Sequence, residues 1–369
     1  MKNTYLISKL ITYILQLHST CMNEFEIIKK YFNTNTASNN NSDVILGIGD
    51  DCALLHIEPQ YNMAVSTDTF LEGTHFFKGT EPKAIGYKSL AVNISDLAAM
   101  GATPVAFTLA LTIPEGNEDF LTKFAEGLFL LANKNHIQLI GGDTTRGPLS
   151  ITITVFGKVE QGKEIRRSGA KDGDVVCVSG PLGGAAYAVA LRYGNEKMPE
   201  DKNIIKKACS LLDYPNPRTD LIPWLHKFHA SSALDISDGL LGDLNHILEN
   251  SNRCACIDCD DIPVSSSLTL LSPEKQLNYA INGGDDYELC FTLSEKEFLK
   301  WEKESLYEKA PNIYKIGTIR NIINNDNDTN IKENNNNITI ITNNNSNLIK
   351  LSNDKVLNSN NFRCSFTHF

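Results

Sequence analysis

Gly47-Ile48-Gly49-Asp50-Asp51, followed one strand later by Ser66-Thr67-Asp68-Thr69, is the stretch whose reading decides the architecture. Two adjacent carboxylates follow glycines at the end of an apolar run, and a third sits among hydroxyls after Met63-Ala64-Val65. This is the outline of a cation site. Outward from it, the same setting recurs at Asp96 in Asn93-Ile94-Ser95-Asp96 and at Asp143 in Gly141-Gly142-Asp143-Thr144-Thr145-Arg146. It returns at Asp235 and Asp238 in Asp235-Ile236-Ser237-Asp238-Gly239. Each acid is expected at or just past a strand end, or on a helix flanked by small residues. For any single Asp, turn chemistry or a helix cap is the better reading. So many in one kind of setting favour metal. Oxygen ligands without His or Cys select hard cations, and magnesium typically bridges carboxylates to phosphate oxygens.

The 369 residues suit two domains, and 41% hydrophobic content is ample for their cores. A net charge of −10 speaks against a nucleic-acid or anionic-membrane partner, which would need a basic stripe. Nine irregularly spaced cysteines read as free thiols in a reducing cytoplasm. No apolar run reaches the roughly 18 residues of a membrane span. Residues 1–22 are read as an extension, with Met22 the working start, because Glu24 to Phe32 has the pattern of an amphipathic helix.

Along residues 23–160, strands are expected at Val44–Leu46, Met63–Thr67, Pro104–Ile113, Ile137–Ile140 and Ser150–Val159. Helices are expected from Pro82 to Met100 and from Asp119 to Asn133. Small residues around Asp96 imply a tightly packed helix, where a bare carboxylate is costly unless paired or metal-bound. Residues 161–171 cross into a second domain, 161–369, with strands at Val175–Ser179, Ser231–Leu234, Leu289–Leu293 and Ile313–Ile319. Helices follow Gly184 and Gly239. Residues 323–347 are Asn-rich, low in complexity, and read as an expanded loop.

Gly180-Pro181-Leu182-Gly183-Gly184 would free backbone N–H groups at a helix start for an anion, though a plain tight turn serves equally and no common phosphate fingerprint matches. Cys254-x-Cys256-x-x-Cys259 lacks the second pair a structural zinc site wants, and strand spacing lets Cys254 and Cys256 both face the core. His75 is either a solvated loop histidine or a substrate-phosphate contact. Arg167 is either a surface arginine or a phosphate clamp. With no Gly-x-Ser-x-Gly and no activated Ser or Cys, the acids and glycine turns point to phosphoryl transfer.

Taken together, these segments resemble the thiamine-monophosphate kinase family, within the ATP-binding superfamily of aminoimidazole ribonucleotide synthetase and selenophosphate synthetase. The resemblance rests on Gly47 to Leu55, Ser66 to Thr69, Leu90 to Gly101, Gly141 to Gly147, Arg167 to Lys171, Asp235 to Leu240 and Gly283-Gly284-Asp285-Asp286-Tyr287-Glu288-Leu289. It implies a two-domain aminoimidazole ribonucleotide synthetase-like fold, α+β or mixed α/β. It also implies a homodimer whose N-terminal sheets join, with ATP between the domains. It implies ATP-dependent phosphorylation of thiamine monophosphate to the diphosphate, by direct magnesium-assisted transfer. By carry-over, Asp51, Ser66, Thr67, Asp68, Asp96, Asp143, Asp235 and Asp238 hold several magnesium ions. Gly142, Asp143, Arg167 and Ser237 contact ATP, while His75, Asp285 and Phe366 lie on the thiamine-phosphate side. A monovalent-cation requirement stays open. Asp285 stands where the family usually has Glu, and Phe366 where Tyr or Trp is common. The rivals are a sister enzyme acting on another phosphate- or amide-bearing small molecule, and a non-catalytic metal- or nucleotide-binding remnant. The intact acids speak against the remnant.

Overall fold

The computed structural model describes residues 24–33, 42–307, 309–322, 338–341 and 349–350. In chain order these form α1 (Glu24–Ile27), β1 (Val44–Leu46), β2 (Leu54–Leu55), β3 (Tyr61–Leu71), α2 (Pro82–Ala99), β4 (Thr103–Ile113), α3 (Glu118–Lys134), β5 (Gln138–Arg146) and β6 (Ser150–Glu160). There follow β7 (Asp174–Val178), α4 (Gly184–Tyr193), α5 (Lys202–Asp213), α6 (Ile222–Lys227), β8 (Ser232–Asp235), α7 (Leu240–Ser251) and β9 (Cys254–Asp258). The described chain ends with α8 (Pro273–Asn282), β10 (Leu289–Ser294), α9 (Glu295–Ser305), β11 (Tyr314–Arg320), β12 (Ile338–Ile341) and β13 (Ile349–Lys350). The class is mixed α/β. Two compact units emerge, one drawing on residues up to 57 with 67–90 and 104–156, the other on 58–66, 91–103 and residues from 157 onward.

A four-stranded sheet has the order β3-β6-β4-β5. Along β6, Ile151, Ile153 and Val155 are fully buried while Thr152 and Thr154 between them stay half-exposed. That period of two gives the sheet one apolar and one hydroxyl-rich face. Thr67 and Thr69 of β3 join the hydroxyl face by side-chain hydrogen bonds of 2.9 Å to Thr154 and Thr152. Helix α3 buries Leu121, Phe124, Leu128 and Leu131 from one stripe, and Asn117 caps its start by accepting the Phe120 N–H at 3.1 Å. Its crossing with α2 is made by glycine: a Cβ on Gly127 would stand 1.9 Å from the Lys83 carbonyl oxygen, and one on Gly86 2.1 Å from that of Phe124.

The second sheet has seven strands in the order β13-β12-β9-β11-β7-β10-β8. Strands β7 and β10 and the edge strand β8 are buried almost throughout, so they read as continuous apolar runs rather than alternating ones. One face packs Val176, Val178, Leu234 and Cys290 against Leu240, Leu244, Ile247 and Leu248 of α7. The other packs Cys177, Ala233, Phe291 and Leu293 against Trp301, Phe228 and Leu225.

Several expectations change. The strands around the acids run longer than expected, through their Thr-rich tails, so Asp68 and Asp143 lie inside β3 and β5 rather than past them. The parallel pairing of β5 with β4 continues across the glycines, from Gly141 opposite Thr108 to Arg146 opposite Ile113. Within the expected loop 323–347, the β-branched Ile338-Thr339-Ile340-Ile341 is a strand, parallel to β9 from Ala255 to Asp258. Cys254 and Cys256 turn to the half-exposed face of β9, because Ala255 and Ile257 take the core. Helix α1 continues into a wide turn at Ile28–Asn33 that buries Tyr31 and Phe32. Helices α5, α8 and α9 were not expected, since their polar faces obscure short apolar stripes. Among the described residues no helix is long and apolar enough to cross a membrane.

Gly127→Ala is expected to force the α2–α3 crossing apart at a cost of about 1–3 kcal/mol, as overpacking does. A denaturation midpoint equal to wild type would show that the helices separate freely.

Candidate functional site

In the larger unit, Asp235 ends β8 and is only 8% exposed. Burial pushes its carboxyl up to about 6; the Asp243 carboxylate adds to this and the Arg167 guanidinium opposes it. The four residues after it form a turn held from below by Asp243. That carboxylate accepts the backbone N–H of Ser237, Asp238 and Gly239 at 3.0, 3.0 and 3.1 Å. One oxygen of the buried carboxylate, Oδ2, thus fixes the loop that carries Ser237 and Asp238.

The second acidic motif is zipped to this loop. The N–H of Asp285 donates to the Ser237 carbonyl at 2.8 Å, that of Tyr287 to Ile236 at 2.9 Å, and that of Ile236 to Glu288 at 2.7 Å. Asp285 and Tyr287 both have left-handed backbones, with φ of 67° and 51°. Asp tolerates this region better than longer side chains because it can bond locally. Asp286 points the other way and accepts the Gly183 N–H at 2.8 Å, at the start of α4. The glycine turn, readable as an anion site or a plain tight turn, therefore holds a carboxyl group of its own chain. Burial keeps that carboxyl well above the ordinary range.

Asp96 lies on α2, which is buried along almost its whole length, and is itself half-buried. It accepts the Ser66 hydroxyl at 2.5 Å, uniting two of the expected oxygen ligands. Arg167 is exposed, and its loop is fixed by Ser251 at the end of α7. The Ser251 oxygen accepts the N–H of Gly169 and of Ala170, each at 3.1 Å, and donates to the Arg167 carbonyl at 3.2 Å.

In the smaller unit, Asp51 is exposed, and Asp50 turns back to accept its N–H at 3.1 Å. Asp68 and Asp143 are exposed on β3 and β5, at opposite edges of one sheet. Three strand spacings separate those strands, roughly 14 Å. His75 follows β3; its Nδ1 accepts the Leu71 N–H at 3.0 Å and its ring stacks on Phe70 with centroids 5.3 Å apart. The neutral ring therefore carries its proton on Nε2, as a donor. Gly142 allows β5 to pass β4 closely, since a Cβ would stand 1.8 Å from the Leu109 carbonyl oxygen. Phe366 lies outside the described residues. Among the described residues no group of three or more His, Cys, Asp or Glu side chains could hold a metal ion alone.

Residues 49–159 match the family model for the N-terminal domain of AIR synthase related proteins. Over 276 residues the chain is 45% identical to a thiamine-monophosphate kinase of Escherichia coli K12, covering 74% of this chain and 83% of that one. The chain belongs to the thiamine-monophosphate kinase family. A thiamine-monophosphate kinase of Buchnera aphidicola from Schizaphis graminum is 44% identical over 283 residues, covering 75% and 85% of the two chains. The crystal structure of a thiamine-monophosphate kinase from Stenotrophomonas maltophilia superposes with a TM-score of 0.73 at 41% identity, covering 80% of this chain and 94% of that one.

Within this thiamine-monophosphate kinase fold, sequence reading missed Asp243, Ser251 and Asp286. Asp243 carried a usable signal, an acid in the first turn of a helix just after glycine. Ser251 carried none, since its partners lie more than 80 residues away.

Ser251→Ala is expected to leave the Gly169 and Ala170 amides without an acceptor and to cost on the order of 1–3 kcal/mol. Chemical denaturation measures it, and Ser251→Thr should retain most of the stability.

Proposed function

We propose that this chain transfers the γ-phosphoryl group of ATP to the phosphate of thiamine monophosphate. An oxygen of the acceptor phosphate attacks the γ-phosphorus, the bond to the β–γ bridging oxygen breaks, and ADP leaves with that electron pair. The acceptor is largely ionised at neutral pH, its second pKa lying near 6, so no general base is required. The observation that carries the reading is the zipped pair of loops, which sets Asp235, Asp238 and Asp285 on one rigid frame.

The residues fit magnesium by donor chemistry. Ser66 with Asp96, and Asp235 with Asp238, offer oxygen only, and magnesium needs just one or two protein carboxylates beside phosphate and water. When bound, magnesium neutralises the repulsion between two polyanions. Asp51, Thr67, Asp68 and Asp143 extend the donor set, and a monovalent ion could share it. Arg167, Gly142 and Ser237 contact ATP. His75 donates from Nε2 to the acceptor phosphate. Asp285 pairs with the cationic thiazolium, and Phe366 is the aromatic, cation–π partner that the family resemblance assigns to it.

The same reading makes the protein a homodimer joined through the hydroxyl-rich sheet face. Edge strand β3 exposes Met63 at 40%, Val65 at 56% and Leu71 at 39%, apolar area that a second copy would bury. Light scattering is expected to give a dimer, and Val65→Lys a monomer; a monomeric wild type would exclude this.

Incubation with ATP and thiamine monophosphate should yield thiamine diphosphate and ADP in equal amounts, abolished by EDTA and restored by magnesium. ATP binding without thiamine diphosphate would move the reading to another small phosphate acceptor. Asp96→Asn keeps a partner for Ser66 but loses the charge, and kcat/KM should fall roughly 100-fold or more at unchanged Tm. A loss under threefold would remove Asp96 from the metal set.

A further inference from the structure

The function just proposed makes use of Asp285 but leaves open what fixes its place. The side chain is short, so the carboxylate goes wherever the backbone aims it. That backbone is left-handed at Asp285 and again at Tyr287, two non-glycine residues within three positions. Such conformations persist only where surrounding structure over-determines them. Two anchors belong to the motifs themselves: the hydrogen bonds to Ile236 and Ser237, and Asp286 on the Gly183 N–H.

The third anchor comes from a distant stretch. Arg218 lies in the connection between α5 and α6, and its side chain is 11% exposed. One guanidinium nitrogen, Nη1, donates to the Ser179 carbonyl at 2.6 Å and to Glu288 Oε2 at 2.7 Å. The Nε and Nη2 groups grip both oxygens of Asp220 at 3.0 Å. Glu288 also accepts the Ser179 hydroxyl, whose oxygen takes the Leu289 N–H at 2.7 Å. Glu288 immediately follows the strained turn. Its ends are therefore tied to β8 on one side and, through Arg218, to the start of the glycine turn on the other.

We propose that Arg218 is a positioning residue: through Glu288 it holds the left-handed turn that aims Asp285 at the substrate cation. This rests on the kinase reading for what Asp285 meets, and on geometry alone for the turn. The guanidinium suits the task because its planar fork satisfies Ser179, Glu288 and Asp220 at once, which an ammonium cannot.

The test compares Arg218→Met, Arg218→Lys and Glu288→Gln with wild type in steady-state kinetics for each substrate. Arg218→Met is expected to raise KM for thiamine monophosphate roughly 10- to 100-fold, as misplacement of a contact by about 1 Å does, and to change KM for ATP by less than about twofold. Arg218→Lys should fall between. Adding Arg218→Met to Asp285→Ala should add less than about twofold, since both act through one contact. Both KM values rising together, or fully multiplicative effects, would overturn the proposal. Should Arg218→Met fail to fold, Glu288→Gln carries the same expectation. Should wild type make no thiamine diphosphate, the kinase reading fails and the turn is judged by amide exchange: residues 283–288 must exchange faster in Arg218→Met or Glu288→Gln, and unchanged protection would refute the positioning role.

Discussion

The backbone pairing of Ile236 and Ser237 with Asp285, Tyr287 and Glu288 is the constraint on which the acidic site depends. Carboxylates repel one another and lose hydration when buried, so a cluster of them does not assemble by its own attraction. Here the assembly is done by uncharged groups. Three main-chain hydrogen bonds lock the loops together and fix the backbone that carries the half-buried Asp238 and Asp285. The acids that do turn inward are given backbone amides. Asp243 takes three of them, and Asp286 takes that of Gly183 at a helix start. These inward acids build the loops.

That division explains how much was legible beforehand. Glycine turns, strand ends and repeated Asp settings are local patterns, and from them the strands, the helix bearing Asp96 and the paired motifs could be read. The placement of each acid could not be, because Asp285 and Asp286 are neighbours in sequence and only Asp286 reaches the Gly183 N–H. Only the left-handed turn separates them, leaving Asp285 half-buried and sending Asp286 into the start of α4. Strand length failed similarly at Gly141-Gly142, where composition signals a stop but a parallel neighbour supplies ladder partners through Arg146. Cys254 and Cys256 illustrate the same limit, since spacing fixed their shared face but packing chose which face that was.

The two sheets meet different demands. The seven-stranded sheet is covered on both sides, which makes its central strands rigid supports for the loops at their ends. The four-stranded sheet is covered on one side and carries threonines on the other, bonded into pairs across β3 and β6. Those pairs satisfy the hydroxyls locally.

Strand β12 lies five positions from β8 in the larger sheet, roughly 24 Å from the strand that ends in Asp235. The Asn-rich tract leaves from the end of β11, the middle strand of that sheet, and rejoins at the start of β12, both at the opposite end of the strands from Asp235. Lengthening a closed segment costs only a slowly growing, logarithmic entropy. Codon drift can therefore expand this tract without disturbing the acids. For the same reason it is a natural place to splice in an affinity tag, a fluorophore or a second protein, leaving the chemistry at the far side undisturbed.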